Sequence, residues 1–110
     1  MGKYVLVVPS SAKAGQDDEY NQWYDGIHIH DLLALPGVKN GRRYIASPIS
    51  PMPPPADYLA IYEIETDDIG AVFAELNERA MAGVMQLSDA LDMESARMWV
   101  YEQTLEEHSS

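Results

Sequence analysis

The chain has 110 residues, 46% of them hydrophobic, which suits one domain and leaves no length for a second catalytic unit. Seven Lys and Arg against eighteen Asp and Glu give a net charge of −11, a field that repels nucleic-acid phosphates and anionic membrane surfaces. Cysteine is absent, excluding disulfides and a Cys nucleophile, and no apolar stretch reaches the ~18 residues of a membrane span or reads as a secretory leader, so the expected location is the cytoplasm.

Residues 4–8 are β-branched or bulky and stop at Pro9, which predicts a short buried strand. Asp17 or Asp18 then caps a helix in which Tyr20, Trp23, Tyr24, Ile27 and His28 recur at helical spacing before Pro36 and Gly37 close it. Residues 38–46 and 57–65 read as two strands of a hairpin, the second with Tyr58, Ala60, Tyr62 and Ile64 on one face and Leu59 and Ile61 on the other. Between them, residues 47–55 hold five of the seven prolines, a stiff spacer rather than a docking segment. Thr66 or Asp67 caps a second helix carrying Ile69, Val72, Phe73, Leu76, Ala80 and Met81, and residues 84–91 add a short helix. Residues 95–104 alternate as a last strand, with Arg97, Trp99 and Tyr101 on one face and Ala96, Met98 and Val100 on the other. One domain over residues 1–106 and a disordered tail over 107–110 are expected.

The order β-α-β-β-α-β predicts an α+β, ferredoxin-like subunit: a four-stranded antiparallel sheet with both helices on one face. Its strands carry apolar or aromatic residues on both sides, so the helix-free face needs cover too, most simply the same face of a second copy. Folding a chain of this size removes only about 65% of its unfolded surface, which adds weight to a homodimer.

Tyr20, Tyr24, His28 and Asp31 share one face of the first helix, a stripe that could line a cavity. An imidazole held by Asp31 or Asp25 can take and return a proton near neutral pH; the plainer reading is a satisfied core or surface histidine. His28 and His30 point about 200° apart on a helix and cannot share one ion, so no metal is expected. Arg42 and Arg43 are adjacent on a strand, so only one faces the helices; a guanidinium there suits a carboxylate or an enolate oxygen, and a surface ion pair is the alternative for each. Tyr24, Tyr44 and Trp99 offer flat surface for a conjugated ligand, although aromatic residues are also ordinary core material. No phosphate-binding glycine loop, serine-hydrolase elbow or zinc-protease motif occurs.

Residues 18–28, reading DEYNQWYDGIH, with DLLALPGV over 31–38 and GRRY over 41–44, resemble the EthD-like family of dimeric α/β-barrel proteins. His28 matches the histidine of that family's W-Y-x-x-x-H pattern, and Arg43 with Tyr44 matches its R-[YF] strand. His30 departs from it, standing where such sequences commonly carry proline, and is a substitute candidate for the base. The resemblance implies two ferredoxin-like subunits paired sheet to sheet, with a cavity between sheet and helices in each. Relatives include cofactor-free enzymes that isomerise, cyclise, hydrolyse or oxygenate aromatic and polyketide compounds, and haem-dependent members.

The expectation is therefore a cofactor-independent isomerase or hydrolase of aromatic-compound catabolism acting on a small conjugated ring-fission carboxylate, by isomerisation or by lactone or methyl-ester hydrolysis. His28, with His30 as substitute, moves the proton, Arg43 or Arg42 holds the carboxylate, and Tyr24, Tyr44 and Trp99 pack the conjugated system. The competing expectations are a non-catalytic binding protein for a phenolic or haem-like ligand, and a cofactor-free monooxygenase or polyketide cyclase.

Overall fold

A computed structural model describes residues 2–104 and 107–109. The first strand, β1, is Gly2–Ala12, followed by α1 (Asp17–Trp23), a π-helical turn (Tyr24–His28) and α2 (Ile29–Leu33) as one continuous helical run. Strands β2 (Val38–Ile45) and β3 (Tyr58–Thr66) lead to α3 (Ile69–Met81), a two-residue strand β4 (Leu91–Asp92), a 3-10 turn (Met93–Ser95) and β5 (Trp99–Glu102). All pairings are antiparallel: β3 lies between β2 and β1, and the other edge of β1 is shared by β5, along Tyr4 to Val7, and β4, along Ser11 and Ala12. This is the expected ferredoxin-like α+β subunit, with β4 as an added short strand.

The alternation of β3 sorts the two faces. Ala60, Tyr62 and Ile64 are buried and join Leu6 of β1, Tyr20, Trp23, Tyr24, Leu32 and Leu35 of the first helical run and its exit, and Val72 of α3 in the core. Gly41, opposite Tyr62, has a steric role: a Cβ there would stand 2.9 Å from the Tyr62 ring, so only glycine lets that ring lie flat on β2. Gly37, at φ +87, makes the turn into β2 and accepts the Glu65 N–H at 2.9 Å.

Several boundaries differ from expectation. β1 runs on through Pro9, because the Pro9 carbonyl accepts the Arg97 N–H on the β5 side. An extended residue aims its N and C=O the same way, so the missing N–H faces that side too, beyond the last β5 pair, Val7 with Trp99, and the ladder to β3 loses nothing. The cap of α3 is Asp68, whose carboxylate accepts the Ala71 N–H at 3.1 Å, rather than Thr66 or Asp67. Residues 84–91 form no helix: Gly83, at φ +76, ends α3, and backbone groups of the segment bond outward, Gln86 O to Trp23 Nε1 and Ala90 O to Lys13 N. The last strand begins at Trp99, not at residue 95. Of the tail expected over 107–110, Ser110 lies outside the described residues, as do Met1, Leu105 and Glu106 of the expected domain. Among the described residues no helix is long and apolar enough to cross a membrane.

Candidate active site

The π turn decides where His28 points. The sequence Trp23-Tyr24-Asp25-Gly26-Ile27-His28 widens to bonds five residues apart, and residues five apart then come to lie over one another. The His28 ring accordingly stacks on Trp23, with centroids 4.6 Å apart and planes at 21°, and meets Tyr24 edge-on at 4.9 Å. Trp23 is itself held by the bond from Nε1 to Gln86 O at 2.8 Å, which ties the helical run to the 84–91 segment.

Between these elements lies a cavity of about 560 Å³, within the usual range for small-molecule sites. His28, Trp23 and Tyr24 form one wall, Phe73, Leu76 and Ala80 of α3 another, and Met85, Met93 and Met98 a third. Thioether side chains repack readily around ligands of different outline. Among the described residues Arg97 is the only formally charged one lining the cavity, and Asn77 and Ser10 are also polar, the Ser10 hydroxyl being paired with Tyr20 Oη.

Burial pushes the His28 pKa down to about 4; Asp31 opposes the shift and Arg43 adds to it. The ring is therefore neutral at pH 7, a free base. Its Nδ1 is buried without a hydrogen-bond partner, as is Asp31 Oδ2. Burial likewise raises the Tyr24 and Tyr62 pKa values, and these hydroxyls lie 3.4 Å apart, protonated at neutral pH.

The other residues singled out in the sequence separate by face. Arg43 pairs with Ala60 and faces the helices, whereas Arg42, paired with Ile61, and Tyr44, paired with Leu59, lie on the opposite face. Arg42 meets Glu63 there at 3.7 Å. Trp99, opposite Val7, also lies on that helix-free face, so neither Tyr44 nor Trp99 reaches the cavity. His30 is exposed and off the cavity wall.

Arg43 is not on the cavity wall either. Its guanidinium sits on the Tyr24 ring, 4.3 Å from the centroid, within 5.5 Å of the Tyr20 and Tyr58 rings, and bonds Asp25 at 2.9 Å. Nε and Nη2 are buried against those rings with no hydrogen-bond acceptor, so Arg43 braces the aromatic wall from behind.

The cation at the cavity is Arg97, whose Nη1 donates to the carbonyls of Glu94 and Ala96, both at 2.8 Å. Strict alternation would place Arg97 with Trp99 on the far side. It escapes because the backbone before Trp99 leaves the 3-10 turn and is not yet strand. Among the described residues no group of three or more His, Asp or Glu side chains is placed to hold a metal ion.

Fold and site together define a ferredoxin-like α+β subunit with a cavity between its sheet and helices. Solved structures of the same fold include the haem degrader MhuD of Mycobacterium tuberculosis, with two haems bound in its active site, at 17% identity and TM-score 0.67 over 96% of this chain and 99% of that chain. HapK from Hahella chejuensis matches at 18% identity and TM-score 0.60 over 100% and 99% of the two chains. An ethyl tert-butyl ether D (EthD) family protein from Bacillus halodurans matches at 13% and 0.58 over 94% and 100%. No protein-family model and no curated protein matches the sequence, so the likeness, including that to the EthD protein, is one of fold.

Proposed function

We propose that the chain is a small enzyme that moves protons on a conjugated carboxylic acid bound in the cavity, with His28 as the base. The carrying observation is a neutral, half-buried imidazole on the wall of an apolar cavity in which, among the described residues, the only formal charge is the guanidinium of Arg97. An apolar acid would enter with its carboxylate toward Arg97 and its conjugated carbons along Trp23, Tyr24 and the methionines. The His28 imidazole takes a proton from a carbon next to the conjugated system, the electron pair spreads toward the carboxylate end, and the imidazolium, after exchange with water, returns a proton at another carbon. Nothing is oxidised or reduced, and the product is an isomer. Hydrolysis of a lactone or methyl ester uses the same base on water, with the acyl oxygen facing Arg97. Ring-fission acids of aromatic catabolism are the substrate class we favour, since they combine flatness, conjugation and a carboxylate.

The test is a panel of conjugated acids and their neutral amides incubated with the protein in D2O. Deuterium entering the acids at carbon, and not the amides, supports the reading; no exchange or turnover with any acid overturns it. Arg97→Met is expected to raise KM for the acids about 10- to 100-fold, the loss of one charge-assisted hydrogen bond, with a smaller change in kcat. Steady-state kinetics check this, and an unchanged KM removes Arg97 as the anchor.

The reading includes a homodimer through the helix-free face. Val5, Val7, Leu59, Ile61, Tyr44, Trp99 and Tyr101 make that face largely apolar around the Arg42–Glu63 pair, and Trp99 and Tyr101 are 44% and 62% exposed. Sedimentation at micromolar concentration is expected to give a dimer, and Trp99→Glu a monomer; a monomeric parent protein rejects this arrangement.

A binding module for a phenolic or haem-like ligand has one observation in its favour. The neutral His28 imidazole is the form that ligates iron, although among the described residues Arg97 is the only cation lining the cavity to meet two propionates. Titration with haemin discriminates: a Soret shift that His28→Ala removes favours the module.

A further inference from the structure

Two buried polar atoms in the helical run lack hydrogen-bond partners and are complementary. His28 Nδ1 and Asp31 Oδ2 are each sealed from solvent and unbonded, and they belong to residues three apart, one turn along the run. The carboxylate already acts on the ring, since it opposes the downward pull of burial on His28. A buried acceptor and a buried nitrogen that can carry a proton both cost free energy when unpaired, and one hydrogen bond relieves both. Other atoms of the surroundings do not compete for the role. Asp25 is taken by Arg43, the Tyr24 ring meets His28 at right angles, and Trp23 stacks on it.

From this juxtaposition we propose that Asp31 is a positioning residue: it accepts the Nδ1 proton of His28, directly or through one water, and so fixes the tautomer that leaves Nε2 as the base facing the cavity. Of the two ring nitrogens only Nδ1 is sealed without a partner, which leaves Nε2 for a ligand. Without Asp31 the neutral ring is free to carry its proton on Nε2, where it blocks the lone pair that would abstract a substrate proton. Asp31 is also the group that stabilises the imidazolium once the proton has been taken. Its catalytic use rests on the proton-transfer reading above, but the tautomer does not.

The groups facing His28 are Asp31 and Tyr24 from its own helical run, Arg43 from β2, and Arg97 at the shared cavity. Of these, Asp31 alone is anionic, so its removal is expected to move the His28 titration further down, while loss of Arg43 would move it up.

The deciding measurement is the pair of imidazole 15N shifts of His28 in the full-length protein at pH 7, with no ligand added. The Nδ1–H tautomer is expected in the parent protein, Asp31→Asn is expected to shift the ring toward Nε2–H and to lower its titration midpoint, and Asp31→Glu to restore both. A parent ring already in the Nε2–H form overturns the proposal, as does a folded Asp31→Asn whose ring and midpoint are unchanged. If Asp31→Asn does not fold, the parent tautomer and the Glu variant still decide. Where a substrate from the acid panel is in hand, Asp31→Asn is expected to lower kcat ~10-fold or more with KM within about twofold, the split expected when an orienting carboxylate is lost. The expected tautomer with no turnover of any acid would keep the dyad and reject the proton-transfer reading.

Discussion

His28→Ala is expected to lower turnover of any acid processed by the protein by about 100- to 10,000-fold while leaving its binding within a few-fold, because general acid–base catalysis contributes on that order and the anchor lies elsewhere. The separation of effects follows from geometry. In the proposed reading, ligand contact is spread over Trp23, Tyr24, Phe73, the methionines and Arg97, whereas among the described lining residues only the imidazole is placed to take the proton: Tyr24 is kept protonated by burial, and neither Asp31 nor the exposed His30 lines the cavity. The measurement is kcat and KM on the same acids, with circular dichroism to show that the fold survives. Loss of the ring opens space next to Trp23, so His28→Gln is the companion variant, filling most of the volume without a base. Turnover retained by both variants would take the base role away from His28.

A base that titrates near 4 also fixes the acid limb of the rate profile. The imidazole must be unprotonated to act, so kcat/KM for the free enzyme is expected to be level at neutral pH and to fall as pH drops through about 4. A limb near the ordinary histidine value would indicate His30 or an exposed ring instead.

What could be read in the sequence was whatever depends on local periodicity. The alternation at Tyr58, Ala60, Tyr62 and Ile64 predicts the buried face of β3, and the helical spacing of Tyr20, Trp23 and Tyr24 predicts the buried side of the first helix; both faces form as the pattern requires. The features that escape periodicity depend on register or on a break in regular structure. Parity shows that Arg42 and Arg43 face apart, but only the pairing with Ile61 and Ala60 shows which of them lies under the helices. Tyr44 and Trp99 fall on the helix-free face for the same reason.

The π turn has a faint signal, Gly26 within an otherwise helical stretch, which weakens the local helix without saying how it widens. Arg97 has no signal at all. Its approach to the cavity depends on β5 starting two residues later, at Trp99: Pro9, next in line on β1, accepts the Arg97 N–H but has no N–H of its own to complete the pair. A sequence-based choice of anchor therefore favoured the arginine in a recognisable pattern, and the structure places that arginine behind Tyr24 instead.

Acid should destabilise the fold through His28, by an amount that a single variant isolates. With a folded-state pKa of about 4 against 6.5 in the unfolded chain, both states hold the ring neutral above pH 6.5 and neither gains from it. Between 6.5 and about 4 the unfolded state binds a proton that the folded state refuses, so stability falls as pH falls, and the loss is complete below the folded-state value. At 1.36 kcal/mol per pKa unit the full loss is about 3 kcal/mol, against a total stability of about 5–15 kcal/mol for a domain. Eighteen carboxylates titrate over the lower part of the same range, so the raw curve mixes many groups. The difference between the parent protein and His28→Gln cancels the groups they share, to the extent that the substitution leaves their surroundings intact. Urea unfolding at pH 7, 5.5 and 4.5 is expected to show the parent losing ground to the variant at each step downward. Parallel curves would mean that the ring titrates alike in both states and is open to water, which would also remove the reason for calling it a sequestered base.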